Sequence, residues 1–351
     1  MHTEDYQTAL PVYREHPFAE YYDPCRVGFF DIETTGLSAE RHRLILAGLV
    51  LPPENDDPEA VYTARQYFAE RPQEEGELLA ALLPDLAALD AVVTYNGRRF
   101  DLPFLEARAA AAGLSRRVRL PADFDLCLLV RHYSELRHFL PDLRQKTLED
   151  FLGLATDRDD CIDGGESVRL YGQWLRSGEE ELRHTVLLHN RDDILQMVRL
   201  MQVVEKTDLH RAMAGSGFPC GNWQISRVHL TTHRLHVHGL QFRGAGRHDE
   251  AVDYEYSGDG ILDYHLRRED GRFEIRAAVH EQDGVTFADL GELRLDPAAY
   301  RSRYGSDPAQ HDELLVLRLA RGSRSAAVDY RSVNRLARLL TERIQQWITE
   351  N

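Results

Sequence analysis

The sequence predicts an α/β fold, a mixed sheet flanked by helices, followed by a smaller α+β region that is mostly strand. Three strand-like segments come first and are followed by alternating strands and helices, an order typical of a mixed sheet with helices on its faces. After Lys206 the pattern changes to short strand-like segments separated by turn residues. We therefore expect an N-terminal extension, an α/β domain and a C-terminal α+β domain, at residues 1–23, 24–204 and 211–351.

The predicted strands of the α/β domain are short apolar runs bounded by turn residues or carboxylates. They cover residues 26–31, 42–51, 60–68, 90–95 and 123–125. Between the third and fourth strands, leucines repeat with the spacing of a buried helix face, which predicts a helix over 74–89. Further helices are predicted over 101–114, over 126–136 and across most of 146–204, the last of them from 179 to 204.

The C-terminal domain is predicted to follow a connection at 213–222, which contains glycine and proline. Strand-like segments come next, at 223–230, 233–242, 254–269, 272–280 and 314–319. An amphipathic helix over 332–349 is predicted to close the chain.

Composition places the chain among globular proteins. Hydrophobic residues make up 43% of it, enough for buried cores. It has no apolar run long enough to cross a membrane and its first residues lack the apolar stretch of a signal peptide, so we expect a cytoplasmic protein without a membrane partner. The four cysteines form no CxxC pair, which indicates reduced thiols. They are Cys25, Cys127, Cys161 and Cys220.

Taken alone, the net charge of −16 argues against nucleic acid as a partner. Residues 205–351 carry 20 basic and 22 acidic side chains, so nearly all of the excess acidity lies in the first 204 residues. A carboxylate cluster that binds metal cations would lie there. Because total charge does not decide which local surface binds a ligand, a nucleic-acid substrate is not excluded.

Three separated segments place carboxylates where strands and helices begin or end. Asp31 and Glu33 stand two residues apart on the first predicted strand, so both side chains lie on one face. Asp101 begins a predicted helix shortly after another strand ends. His189 and Asp193 are one helical turn apart and share a helix face.

Hard divalent cations such as Mg²⁺ and Mn²⁺ prefer carboxylate oxygens. Four carboxylates gathered in one place repel each other unless cations neutralise them. Two such ions, about 3.5–4 Å apart, can activate a water and stabilise the leaving oxygen of a phosphodiester. The pattern therefore predicts a site for Mg²⁺ or Mn²⁺.

The segments DIETTGL, NGRRFDLPFL and HNRDDI resemble, in this order, the three motifs of the DEDD superfamily of RNase H-like 3′–5′ exonucleases. The intervening KTLEDFLGL and GGESVRLYGQWLRSG segments are similar to the bacterial YprB-like branch, and the resemblance covers about residues 24–204. It implies an RNase H-like fold in which Asp31, Glu33, Asp101 and Asp193 bind two metal ions. It also implies that nucleotides of DNA or RNA are removed from a 3′ end. Within the first two motifs we assign substrate binding to Thr34, Gly36, Leu37, Asn96 and Phe100.

His189 departs from the usual pattern of that superfamily. Members place a tyrosine four residues before the last aspartate or a histidine five before it, whereas His189 stands four before Asp193. We interpret His189 as a general base, since imidazole titrates near neutrality. The alternative is that it caps or packs beside the site and the metals need no protein base. Asp192 competes with Asp193 as fourth ligand, its direction differing by about 100°, and we favour Asp193.

Simpler explanations exist for several residues of the α/β domain. Asn96 and the glycine after it form a common turn sequence. Phe100 fits core packing as well as stacking on a terminal base, and Asp159 and Asp160 are expected to face solvent in a polar loop. As a whole, the pattern also fits a non-catalytic nucleic-acid-binding module, or an endonuclease on the same scaffold.

The C-terminal region offers two further groups of residues. Its histidines can be interpreted as a zinc site, because histidines at such spacings converge, or as a polar sheet face; they are His229, His233, His236 and His238, with Cys220 upstream. Three arginines on the last helix suit contacts with a nucleic-acid backbone, although a solvated helix face is the more frequent arrangement; they are Arg331, Arg335 and Arg338. No motif predicts a role for this region.

Overall fold

The computed structural model describes residues 1–11, 16–53, 61–114, 120–155, 158–160, 162–241, 254–258, 260–267, 269–305, 313–321 and 325–350. The chain divides into two compact units, Met1–Asp208 and Leu209–Asn351. Cys161 and the predicted strand ends at residues 60 and 242 lie outside the described residues. The three-part domain division stays a prediction.

The first unit contains a six-stranded sheet. Its strands are β1 (His2–Thr8), β2 (Val27–Thr34), β3 (Leu44–Leu51), β4 (Tyr62–Phe68), β5 (Ala91–Thr94) and β6 (Ala122–Asp125). They lie in the order β1-β4-β3-β2-β5-β6. The first four pair antiparallel, whereas β5 is parallel to both of its neighbours, β2 and β6. The predicted mixed sheet is confirmed.

Seven helices are described in the first unit. They are α1 (Ala19–Tyr22), α2 (Glu75–Ala87), α3 (Asp101–Ala111), α4 (Leu126–Tyr133), α5 (Gln145–Leu152), α6 (Gly164–Ser177) and α7 (Glu180–Leu200), with 3₁₀ turns at Pro72–Glu74, Glu135–His138 and Met201–Lys206. The central strand β3 is apolar along its whole length because helices cover both of its faces. Leu44, Ala47 and Leu49 pack against the leucines of α2, while Ile45 and Leu46 pack beside residues of α6 and α7.

The structure differs most from the sequence-based prediction in residues 1–23, where no strand is predicted. His2–Thr8 pairs along its full length with β4 and forms one edge of the sheet. No residue of this strand is fully buried, so its sequence shows none of the apolar runs from which the other strands are predicted. The segment assigned to an extension therefore contributes a strand to the sheet.

The second unit is rich in strands, as predicted. One antiparallel sheet, in the order β10-β11-β12-β9-β8-β7, consists of β7 (Phe218–Cys220), β8 (Trp223–Leu230), β9 (Arg234–Gln241), β10 (Tyr254–Gly258), β11 (Leu262–Leu266) and β12 (Arg272–Ala278). A smaller sheet consists of β13 (His280–Gln282), β14 (Val285–Asp289), β15 (Leu314–Arg321) and β16 (Ser325–Val328). The helices are α8 (Leu209–Ser216), α9 (Pro297–Tyr304) and α10 (Tyr330–Glu350).

Two predictions for this unit are wrong in detail. The segment taken as a connection, 213–222, instead holds the end of α8 and the strand β7. The single strand predicted over 254–269 is a hairpin, and its turn includes Gly260, whose φ of 78° is the left-handed conformation that glycine adopts readily. Among the described residues, no helix has both the length and the apolar character needed to cross a membrane.

The three arginines proposed to contact a nucleic-acid backbone lie on α10. The guanidinium of Arg338 stacks over the ring of Phe218 at 5.1 Å, and that of Arg335 over the ring of Tyr304 at 4.6 Å. Arg331 is exposed. Arg335 and Arg338 therefore stack on aromatic rings of the same unit.

Candidate active site

Asp31 and Glu33 lie towards the carboxyl end of β2 and contact residues of α7. Asn190 Nδ2 donates a hydrogen bond to Asp31 Oδ2 at 2.9 Å, and His189 Nε2 lies 3.5 Å from Glu33 Oε1. Ile32, between the two acids, packs in the leucine core instead. Alternation along the strand thus places both carboxylates on one face.

Asp101, the first residue of α3, is 4% exposed. The register between β2 and β5 ends at Phe29 and Val93, so farther along β2 the backbone groups on that side need other partners. The N–H of Ile32 donates to Asp101 Oδ1 at 3.2 Å. The shortness of β5 therefore lets the start of α3 join the end of β2.

The helix α7 sits closely on the sheet through Asn190. Its Oδ1 accepts a hydrogen bond from Gln66 Nε2 of β4 at 2.9 Å, while its Nδ2 donates to Asp31. Gly48 of β3 leaves the necessary room, because a Cβ there would lie 2.4 Å from Asn190 Oδ1. Asn190 thus contacts the strands β2, β3 and β4, and it sets how closely the next turn of α7 approaches the sheet.

That turn brings Asp193 to Glu33. His189 Nε2 is 3.5 Å from Glu33 Oε1 and also 3.5 Å from Asp193 Oδ2. The ligand atoms of these three residues all lie within 4.8 Å of one another. Asp31 is close enough to Asp101, Asp193 and Glu33 to be repelled by all three, so one strand and two helices bring the four carboxylates together.

The other ring nitrogen of His189 has a strong partner that sequence reasoning missed. His189 Nδ1 lies 2.6 Å from Asp160 Oδ2, and the side chain of Asp160 is fully buried. The prediction that Asp160 faces solvent is wrong, whereas the neighbouring Asp159 side chain is 80% exposed. An Asp–His pair of this kind fixes the orientation of the imidazole.

Asp192 explains why the loop that carries Asp160 is buried. Its Oδ2 accepts hydrogen bonds from the backbone N–H groups of Asp159 at 2.7 Å and Asp160 at 2.9 Å. These bonds hold the loop against α7. Asp192 is thus occupied with backbone, and Asp193 is the one that lies beside Glu33.

Arg158 is a buried cation at the edge of the carboxylates, with only 6% of its side chain exposed. Its guanidinium bonds to Glu149 at 2.8 and 2.9 Å, to Asp160 Oδ1 at 2.5 Å and to Asp193 Oδ1 at 2.6 Å. One oxygen of Asp193 is therefore committed to Arg158, and the other faces Glu33 and His189.

The carboxylates carry an excess of negative charge. Burial, and then repulsion from Asp101, Asp193 and Glu33, raise the pKa of Asp31 well above its usual range. Burial raises the pKa of both Glu33 and Asp101 to about 7, and it also raises the pKa of Asp193. Because these raised pKa values mean that the ionised carboxylates are disfavoured, a cation bound between them would be stabilising.

His189 and Asp160 shift in opposite directions. Burial alone would lower the pKa of His189, but the hydrogen bond to Asp160 and the nearby carboxylates outweigh it and raise that pKa. Burial would raise the pKa of Asp160, but hydrogen bonds from His189 and Arg158 hold it below its usual range. Asp160 therefore stays ionised and keeps the Nδ1 proton of His189 directed to itself.

The residues assigned to substrate binding lie in two places. Thr34, Gly36 and Leu37 form the turn directly after the acids, where Thr34 Oγ1 donates to the carbonyl of Gly36 at 2.9 Å and Leu37 is 85% exposed. Asn96 has a φ of 66° and its N–H donates to Asp125 Oδ1, as expected of a turn residue. Phe100 packs against the leucine core.

Several buried residues that build the site are not identified from the sequence. They are Gly48, Gln66, Glu149, Arg158, Asp160 and Asn190. A weak signal exists for Gln66, a polar residue inside a predicted strand, and for Asn190, which lies within the third motif.

The donor set fits hard divalent cations. Every predicted ligand is a carboxylate, and oxygen ligands are those that Mg²⁺ and Mn²⁺ prefer. Burial raises the pKa of Asp31, Glu33 and Asp101, and repulsion from the neighbouring carboxylates adds to this for Asp31, so a bound cation would stabilise their ionised forms. The acidic residues could therefore bind metal.

Comparison with known proteins agrees with this architecture. A sequence profile of the RNase H superfamily matches residues 28–205, just over half of the chain. The chain belongs to the RNase H superfamily. RNase H-like nucleases typically use divalent metals, and the acidic residues gathered here could bind them.

Two further proteins are similar to this RNase H superfamily member. The uncharacterized protein YprB of Bacillus subtilis (strain 168) is 28% identical over 200 residues, which cover 56% of this chain and 46% of YprB. The chain thus spans less than half of that relative. The family B DNA polymerase of Pyrobaculum calidifontis aligns over 52% of this chain and 25% of its own, with 20% identity and a TM-score of 0.41.

Proposed function

We propose that this chain is a metal-dependent 3′–5′ exonuclease that hydrolyses phosphodiester bonds in single-stranded or frayed DNA or RNA. The observation that carries the proposal is the convergence of four largely buried carboxylates from β2, α3 and α7, all with raised pKa values. Membership of the RNase H superfamily supports nuclease chemistry. The likeness of the three motifs to DEDD exonucleases supports action from the 3′ end.

Asp31, Glu33, Asp101 and Asp193 would hold two Mg²⁺ or Mn²⁺ ions. Ions bound there would supply Lewis-acid activation of a water and neutralisation of charge on the departing 3′ oxygen. Asp193 contributes the oxygen that Arg158 leaves free. Arg158 also adds a fixed positive charge at the rim of the site.

His189 acts as the general base in this proposal. Ionised Asp160 holds the proton on Nδ1, which leaves Nε2 as the acceptor on the side of Glu33 and Asp193. A water bound beside these carboxylates would lie within reach of that nitrogen and could transfer a proton to it. Asp160 is a positioning residue, because it acts through the imidazole.

The turn after β2 would meet the end of the substrate. Leu37 lies in this turn, four residues after Glu33, and 85% of its surface is exposed. This exposure suits apolar contact with a terminal base. Thr34 and Gly36 hold the turn in shape through their mutual hydrogen bonds. From the second motif, we also assign substrate binding to Asn96 and Phe100.

The proposal is tested with matched DNA and RNA oligonucleotides labelled at the 5′ end. In Mg²⁺ or Mn²⁺ we expect a ladder that shortens from the 3′ end with release of mononucleotides, and no cleavage in EDTA. A circular single strand should stay intact, because it has no end; its cleavage would indicate an endonuclease. If linear substrates remain intact with both metals while the protein is folded, the proposal fails.

A further inference from the structure

One face of the larger sheet in the second unit gathers imidazoles. His236 and His238 lie two residues apart on β9, so both side chains leave the same face, while Val237 between them is fully buried. On the neighbouring strand β12, Glu274 is directly opposite His238. Ile275, next to it, is also fully buried. The backbone that presents the three polar side chains is thus fixed by a packed core beneath it.

The three side chains converge as well as share a face. The ligand atoms of His236, His238 and Glu274 all lie within 4.8 Å of one another. His236 Nδ1 is 3.4 Å from Glu274 Oε1, and the two imidazoles stack with centroids 6.3 Å apart and planes 10° apart. All three residues are half-buried, so they remain accessible to an ion from solvent.

A polar sheet face needs only contact with water, and does not require two imidazoles and a carboxylate to meet. Two histidines and one carboxylate are the ligands that Zn²⁺ accepts in sites with three protein ligands and one open position. Zinc–ligand bonds are about 2.0–2.2 Å long, so small side-chain rotations would close the present spacing around an ion. The softer imidazole donors also distinguish this set from the all-carboxylate site of the first unit.

Two arginines border the three residues. Arg227 of β8 is opposite His238, and Arg276 of β12 is opposite His236. Both are exposed and lie on the same face by strand alternation. Their charge opposes a bare cation but favours an anion in the open position of a bound metal.

We propose that His236, His238 and Glu274 form a binding site for a divalent transition metal of the zinc type, with an open coordination position suited to water or an anion. The site is independent of the nuclease proposal, because it uses none of the same residues. His229, whose ring centroid lies 6.4 Å from that of His236, and the exposed His233 are outside the three-ligand set.

The test is zinc binding to the full chain, measured by equilibrium dialysis with metal analysis at pH 7.5. His238→Ala and Glu274→Gln should each bind one Zn²⁺ fewer than the wild type, or bind it at least about tenfold more weakly. His233→Ala is the matched control, since it removes a histidine from the adjoining turn and should leave the stoichiometry unchanged. Far-UV circular dichroism checks that each variant is folded.

Binding by the carboxylates of the first unit does not confuse the result, because it is common to all these variants. Zinc stoichiometry and affinity equal to those of the wild type in both His238→Ala and Glu274→Gln would overturn the proposal. An equal loss in His233→Ala would also overturn it. If His238→Ala fails to fold, the result for Glu274→Gln decides.

Discussion

The two candidate metal sites use related ligands in opposite surroundings. In the first unit the carboxylates lie between a sheet and two helices, and each is tied to a neighbouring element, as Asp31 is to Asn190. In the second unit His236, His238 and Glu274 stand half-exposed on a sheet face. In the first set, burial and the repulsion between carboxylates raise the pKa of Asp31. The second set contains only one carboxylate, together with two imidazoles.

This difference separates what the two sites can do. Buried like charges cost folding free energy, and a cation relieves that cost. A site of this type suits chemistry in which ions and water are held in a fixed arrangement. A half-exposed set of imidazoles can fold without a cation, so the metal binding proposed there would add a function without being needed for the structure.

The largest expected effect separates two adjacent aspartates of the buried site. Asp193→Asn removes a carboxylate from the group and should lower nuclease kcat roughly 10³-fold, about 4 kcal/mol of transition-state stabilisation. Asp192→Asn keeps an oxygen that can accept from the loop backbone, and should retain activity within about tenfold. Single-turnover cleavage by both variants measures the contrast. Equal losses of activity in the two variants would contradict the assignment of Asp193 to metal binding and of Asp192 to holding the loop.

The next effect tests whether burial of Asp160 serves His189. Asp160→Asn removes the ionised partner that raises the pKa of His189, and kcat should fall on the order of 10²-fold. The acid limb of the pH–rate profile should move to lower pH, because the base then loses its proton more easily. Asp159→Asn is the control, since that side chain is 80% exposed. An unshifted profile would leave Asp160 with only a structural role.

A smaller effect concerns the stability of the metal-free protein. The pKa of Asp101 is about 7 in the fold, above its ordinary value of 3.8, so the folded state binds more protons than the unfolded state between these values. Stability is therefore highest below about pH 4 for this group, and falls as pH rises to about 7. Asp101→Asn removes this loss. Its advantage over the wild type in EDTA should grow by about a few kcal/mol between pH 5 and pH 7.

Thermal unfolding at both pH values measures that growth. The replacement keeps an oxygen to accept from the N–H of Ile32, so packing around it is preserved. If Asp101→Asn is less stable than the wild type at pH 7, the charge of Asp101 is not the main factor that destabilises the metal-free fold.

The smallest effect is expected in the histidine cluster. His238→Ala should change the metal-free free energy of unfolding by no more than about 0.5 kcal/mol, because its side chain is on a half-exposed face. Urea unfolding in EDTA checks this value. A loss of several kcal/mol would show that the imidazole supports the sheet, and the contrast between the two sites would be weaker than we infer.

Much of this organisation is predictable because local pattern and tertiary environment agree. The apolar run of β3 and the leucine spacing of α2 predict a strand and a helix that pack together, and they do. The spacing of Asp31 and Glu33 likewise predicts a shared face. These features depend on neighbours within a few residues.

Features that depend on distant partners are not visible in the sequence. β1 has no buried side chain and is a strand only because β4 offers an edge. Asp160 lies in a polar loop, and its burial depends on distant residues: Asp192, 32 residues away, accepts its backbone N–H, and His189 binds its carboxylate. Arg158 and Asn190 likewise acquire their roles from contacts across the sheet and helices.

The most direct test of the central claim compares Asp31→Asn with Asp159→Asn on a 5′-labelled single strand in Mn²⁺. Both exchange one aspartate for its amide, but Asp31 lies among the converging carboxylates and Asp159 is exposed. We predict that the wild type and Asp159→Asn release mononucleotides at similar rates, and that folded Asp31→Asn releases none above the EDTA background. Cleavage by Asp31→Asn at the wild-type rate would contradict the account.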